Sequence, residues 1–156
     1  MKNCLLFLAL TCTGINCTAD TVSKIITIKA TCATACSISV SNLNFGNYTG
    51  AALAGTATIS LVCTNSMPYN IGLNKGGGTG ASIATRKLTS GTNILNYSLY
   101  QNVNNTIVWG DVVGTNTVAG TGTGSTQTYT IYGLVPADQN VPVGTYNDII
   151  NVTVQF

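Results

Sequence analysis

The chain has 156 residues, and only 6% of them are charged, where an ordinary soluble domain carries about 25%. There is no His and no Glu, the acids are Asp20, Asp111, Asp138 and Asp148, and the net charge is +2. These facts exclude Ser-His or Cys-His catalysis and offer no paired carboxylates for glycoside hydrolysis. They also leave no basic face for nucleic acid.

Polarity comes instead from Thr, Ser and Asn, with 17 Gly and 3 Pro. Thr, Val, Ile and Tyr favour strands while Gly and Asn supply turns, so the expected class is all-β. The length suits one domain with a real core.

Residues 1–19 read as a secretory signal: Lys2, an apolar run from Leu5 to Leu10, then Cys17-Thr18-Ala19 before Asp20. The run is too short to span a bilayer. Lipidation at Cys12 or Cys17 is the rival reading, but Leu10-Thr11 and Ile15-Asn16 are not the small pair it requires. Export places the chain where disulfides persist. Removing the signal leaves Cys32, Cys36 and Cys63, enough for one internal bridge and one cysteine over.

Residues 20–32 form a short extension. Val22, Ile26, Ile28, Ala30 and Cys32 share one parity, interrupted by Lys24, so Ile26 to Ala30 can form an apolar edge. The domain proper runs from 33 to 156. Its first strand, from Cys36, puts Cys36, Ile38 and Val40 on one face and serines on the other, then turns at Asn44 to Asn47. In 56–63, Ala57, Ile59, Leu61 and Cys63 share a face, so Cys36 and Cys63 both point inward. A bridge between them closes a loop worth ~3–4 kcal/mol by chain entropy.

Further strands are expected at 67–73, 94–100, 106–110, 127–133 and 146–156, with Gly-rich turns at 74–80, 119–125 and 136–144. The terminal strand alternates cleanly, with Ile150, Val152, Val154 and Phe156 on one side. Short strands at this spacing suggest a β-sandwich.

Neither Gly-rich stretch has the form of a phosphate loop. In 74-NKGGGTG-80 the lysine precedes the glycines, and 120-GTGTG-124 opens no helix and has no acid at ribose-binding distance. Cys32-x₃-Cys36 lacks the His or second cysteine pair of a metal site. Trp109 and the tyrosines read as core packing and strand pairing. No cofactor, metal or catalytic residue is expected.

The ordered string Cys36, 43-LNFGNY-48, 61-LVCTN-65, 68-PYNIGLNKG-76, 86-RKL-88, 96-NYSLY-100, 108-VWG-110, 120-GTGTGSTQTYTIYG-133 and 139-QNVPVGTYNDIINVTVQF-156 resembles the spore coat protein U domain. That family also supplies the subunits of archaic (Csu-type) chaperone–usher pili. The resemblance implies an incomplete immunoglobulin-like sandwich completed by a donor strand. It places the family disulfide on Cys36 and Cys63, and the groove-lining strand on Ile150, Val152, Val154 and Phe156. The donor segment falls on Val22, Ile26, Ile28 and Ala30. The implied partners are a periplasmic chaperone, an outer-membrane usher and other pilin subunits; the implied location is the periplasm, then the cell surface. Cys32 and Lys24 depart from the family pattern.

Two alternatives stand beside the pilus subunit: a spore- or cell-coat protein of the same family, and a secreted binding module whose residues 20–31 complete its own sandwich. Thiol titration of the denatured, unreduced mature protein should find one free cysteine per chain; none free would exclude Cys36–Cys63 as the complete account of a monomer.

Overall fold

A computed structural model describes residues 26–156; the signal at 1–19, Val22 and Lys24 lie outside the described residues. From 26 to 35 the backbone adopts neither helix nor strand, so the expected apolar edge at Ile26 to Ala30 is not a strand. Residues Ala33–Phe156 form one compact unit.

Eight strands follow in chain order: β1 (Cys36–Val40), β2 (Leu53–Cys63), β3 (Pro68–Leu73), β4 (Arg86–Ser90), β5 (Asn93–Tyr100), β6 (Val118–Thr121), β7 (Gln127–Val135) and β8 (Val152–Gln155). They form a five-stranded sheet, β1-β2-β7-β5-β4, and a three-stranded sheet, β6-β3-β8. All pairings are antiparallel.

The period-2 pattern of β2 sends Ala57, Ile59, Leu61 and Cys63 into the core. From the facing sheet come Tyr69, Ile71 and Leu73, and from β5 come Leu95, Tyr97 and Leu99. Cys36 and Cys63, directly opposite in the β1–β2 ladder, are joined by a disulfide. Cys32 is free and exposed.

Glycine makes room where the chain crosses this core. Gly55 and Gly133 are cross-strand partners. A Cβ on Gly133 would lie 2.8 Å from the Phe45 ring and 2.9 Å from Leu43. The loop after β1 therefore lies across a saddle cut into the sheet, and Phe45 meets the Tyr97 ring edge-on at 5.8 Å.

Three expectations need correction. Residues 106–110 are not a strand; Val108 makes an isolated bridge to Tyr100. The Trp109 N–H donates to the Leu99 carbonyl, while the Gly110 carbonyl accepts from the Leu73 N–H. This segment thus struts the two sheets apart and cannot continue one ladder. The terminal strand is confined to Val152–Gln155 because Asn147 bonds β4 in the other sheet, at Thr89, before the chain crosses over. Finally, β6 occupies part of the expected turn at 119–125. Its Gly120 lies against Tyr69, whose ring a Cβ there would meet at 2.6 Å.

Arg86 is fully buried at the start of β4. Its Nε–H donates to the Asn74 carbonyl at 2.9 Å and Nη1 to Ile83 at 3.0 Å. Nη2 donates to Leu73 at 3.0 Å and to Trp109 at 2.7 Å. One guanidinium therefore ties the five-stranded sheet to the end of β3 and to the Trp109 strut, whose indole N–H in turn donates to Ile71. Burial pulls the Arg86 pKa down, against the opposing influence of Tyr97, Asp111 and Asp148.

Nearby, the Tyr97 hydroxyl donates to Asp148 at 2.7 Å. Burial first, and this bond second, push its pKa well above the ordinary value. Tyr69, buried and bonded to the Tyr129 hydroxyl, is raised for the same reasons.

Two outcomes follow. Arg86→Met strands four carbonyl acceptors and should cost about 3 kcal/mol or more, read from the urea midpoint, with Arg86→Lys recovering only part because an ammonium cannot span the four acceptors. Tyr97 and Tyr69 hold their protons more tightly folded than unfolded, so their contribution is whole below the unfolded tyrosine pKa of about 10 and is lost as pH rises beyond it. Unfolding midpoints measured across that range should fall with pH, and less steeply in Tyr97→Phe.

Candidate functional site: an open trough between the sheets

The inner face of a sandwich is normally covered along its whole width. Here the covering stops short on one side. Among the described residues, β1 pairs only with β2 and β8 only with β3, so each presents a free edge. Between them lies a trough of about 1520 Å³.

Its first wall is β1. Ile38 stands opposite Leu61 and Val40 opposite Ile59, so each pair points to the same side of the sheet. Leu61 and Ile59 are 0% exposed, whereas Ile38 and Val40 are both 42% exposed. Core-facing side chains on β1 thus have half their cover missing.

Its second wall is the chain leading into β8. Val152 pairs with Leu73 and Val154 with Ile71, both fully buried, yet Val152 and Val154 are only half-buried. The floor is apolar and aromatic, with Ala57, Leu95, Tyr97, Leu99, Ile131 and Val135 facing the opening. One end is closed by the loop carrying Leu43, Phe45 and Tyr48. That loop is pinned by the Tyr48 hydroxyl, which donates to the Pro136 carbonyl at 3.0 Å and accepts the Gln139 N–H at 2.8 Å.

The four residues expected on the C-terminal wall are not equivalent. Ile150 and Val152 line the trough, Val154 packs against the core outside its lining, and Phe156 is 61% exposed. On the other side, parity had placed Ile38 and Val40 with Cys36 on one face; their role as the opposite wall was not read from sequence, because a half-covered inward residue looks the same as a covered one. In the extension, Ile26 and Ile28 are 82% and 91% exposed, and Ala30 is exposed too.

The trough is poorly equipped for chemistry. Among the described residues, Asp148 is its only charged lining residue. Its carboxylate accepts from the Tyr97 hydroxyl, the Gly77 N–H and the Ile149 N–H. Among the described residues no cluster of His, Cys, Asp or Glu could hold a metal. The arrangement offers an apolar channel with main-chain edges along both sides, which is the form that accepts an extended strand.

Comparison with known proteins agrees with this geometry. Protein U of Myxococcus xanthus is 36% identical over 128 residues, 73% of this chain and 71% of the relative. A solved structure of a chaperone–tip adhesion subunit pre-assembly complex, from the archaic chaperone–usher Csu pili of Acinetobacter baumannii, matches with a TM-score of 0.59 at 25% identity. That match covers 79% of this chain but only 40% of the other, so this chain spans less than half of it. The fold is accordingly an all-β, immunoglobulin-like sandwich with one strand position open. The Spore Coat Protein U domain model matches residues 14–153, nearly the whole sequence, and the chain belongs to that family.

Proposed function

We propose that this chain is a structural subunit of a bacterial surface fibre, a pilin of the archaic chaperone–usher class, and that its trough is filled by a strand from another molecule. One observation carries the reading: Ile38 and Val40 are 42% exposed opposite cross-strand partners at 0%. A sheet with uncovered core residues and a free edge pairs with other chains unless something occupies it. The likeness to a subunit of a chaperone–subunit complex supports the same occupant class.

On this reading the signal at 1–19 directs export to the periplasm, and a periplasmic chaperone lends the first strand. At the outer-membrane usher, residues 20–32 of the next subunit replace it, with Val22, Ile26, Ile28 and Ala30 facing the floor and Ile150 and Val152 along one side. Burying three or four such side chains contributes roughly 5–10 kcal/mol, and the exchange needs only a better fit than the chaperone strand. The role is architectural rather than catalytic. A coat protein built by the same strand addition is the second reading, favoured by the likeness to Protein U.

Deleting residues 20–31 should leave a subunit that still binds its chaperone but no longer polymerises, seen by size-exclusion chromatography and electron microscopy of the cell surface. Fibres of normal length from the deleted chain would sink the donor-strand reading.

A further inference from the structure

The trough's second wall has a register problem that hydrophobicity does not solve. In 148-DIINV-152 two isoleucines are adjacent, so a slip of one residue would exchange Ile149 for Ile150 at little cost in apolar burial. Both residues border the trough, but they are not equivalent: Ile149 is 79% exposed, while Ile150 packs against the core.

The β3–β8 ladder does not reach this point, since its last pair is Leu73 with Val152. Polar groups on other segments hold the wall there. The Asn74 N–H donates to the Asn151 carbonyl at 3.2 Å, and the Asn74 Oδ1 accepts the Asn151 N–H at 3.0 Å. A side-chain amide oxygen thus supplies half of the next rung. The Asn74 carbonyl is itself held by Arg86. Three residues earlier, Asp148 Oδ1 accepts from the Gly77 and Ile149 N–H groups, both at 2.8 Å, while Oδ2 accepts from Tyr97 in the floor. The Gly77 contact needs the left-handed backbone at Gly76 (φ +82°), where any Cβ would fall 2.1 Å from Asp148 Oδ2.

We infer that Asn74 and Asp148 are positioning residues of the trough: they hold residues 148–151 in the one register that packs Ile150 and Val152 on the core side of the wall and leaves Ile149 exposed at its rim. The inference rests on the trough being a strand acceptor, but it assigns the fit of that strand to two polar residues rather than to the apolar wall alone. Breaking either tether should loosen the wall and speed release of a docked strand, without removing any side chain that touches it from the wall's apolar row.

The test uses the full-length mature chain and a labelled synthetic peptide of residues 20–32 carrying Cys32→Ser, with release followed after a chase of unlabelled peptide. Asn74→Ala should release the peptide roughly tenfold faster, the scale of one lost hydrogen bond. Asn74→Asp, which keeps an acceptor in place, should restore slow release. Gln101→Ala removes a loop bond to the Asn116 carbonyl away from the trough lining; compared at equal thermal stability, it separates positioning from general destabilisation. Should Asn74→Ala fail to fold, Asp148→Ala carries the same expectation. If the wild-type chain binds and Asn74→Ala releases no faster than Gln101→Ala at equal stability, the positioning role is overturned while the strand-acceptor reading survives. If the wild-type chain does not take the peptide at all, both fall together.

Discussion

A buried guanidinium hydrogen-bonded to main-chain carbonyls holds this sandwich together. Arg86 places its donors on four main-chain carbonyls drawn from β3, from the turn after it, from the Ile83 segment and from the Trp109 strut. Burying such a charge is costly unless its hydrogen-bonding capacity is met. Here the acceptors are backbone groups that would otherwise end their ladders unpaired. One residue therefore offsets its own desolvation and that of four carbonyls. The bond from Tyr97 to Asp148 and the indole bond to Ile71 act across the same interface.

Such ties matter because the apolar interface is incomplete. A closed sandwich is held by contact along its full width, but the three-stranded sheet here leaves part of the five-stranded face bare. Polar tethers at Arg86, Trp109 and Asp148 fix the spacing of the two layers without needing that contact. The trough can then exist as a shaped channel instead of collapsing. Membership of the Spore Coat Protein U domain family and likeness to a subunit of a chaperone complex are what this geometry would lead one to expect.

Much of this was legible in the residues. Alternation in 56–63 reported a buried face correctly because that strand lies in a sheet interior with one wet side. Inward parity at Cys36 and Cys63 was likewise readable. Three features were not. The strand at Val118–Thr121 was hidden by Gly120, which reads as a turn residue but is needed so that Tyr69 can lie against the strand. The strand at Arg86–Ser90 and the burial of Arg86 were not among the expected features, since nothing local says that four carbonyls will converge on that residue. And 146–156 looks like one strand because alternation is blind to the switch of sheets between Asn147 and Val152. The exposure of Phe156 has the same origin: parity gives the direction of a side chain but not whether anything lies there to meet it.

The disulfide has a mechanical consequence. A five-residue edge strand paired on one side is the easiest element of a sheet to peel, one rung after another. Cys36 is the first residue of β1, and Cys63 is the last of β2, an interior strand held by β7 over nine partner pairs. Tension arriving from the N-terminal side meets the covalent link before it meets any rung of the β1–β2 ladder. The load passes straight into β2, flanked on both sides in the five-stranded sheet, where rungs must shear together instead of opening singly, and the edge strand is left unloaded.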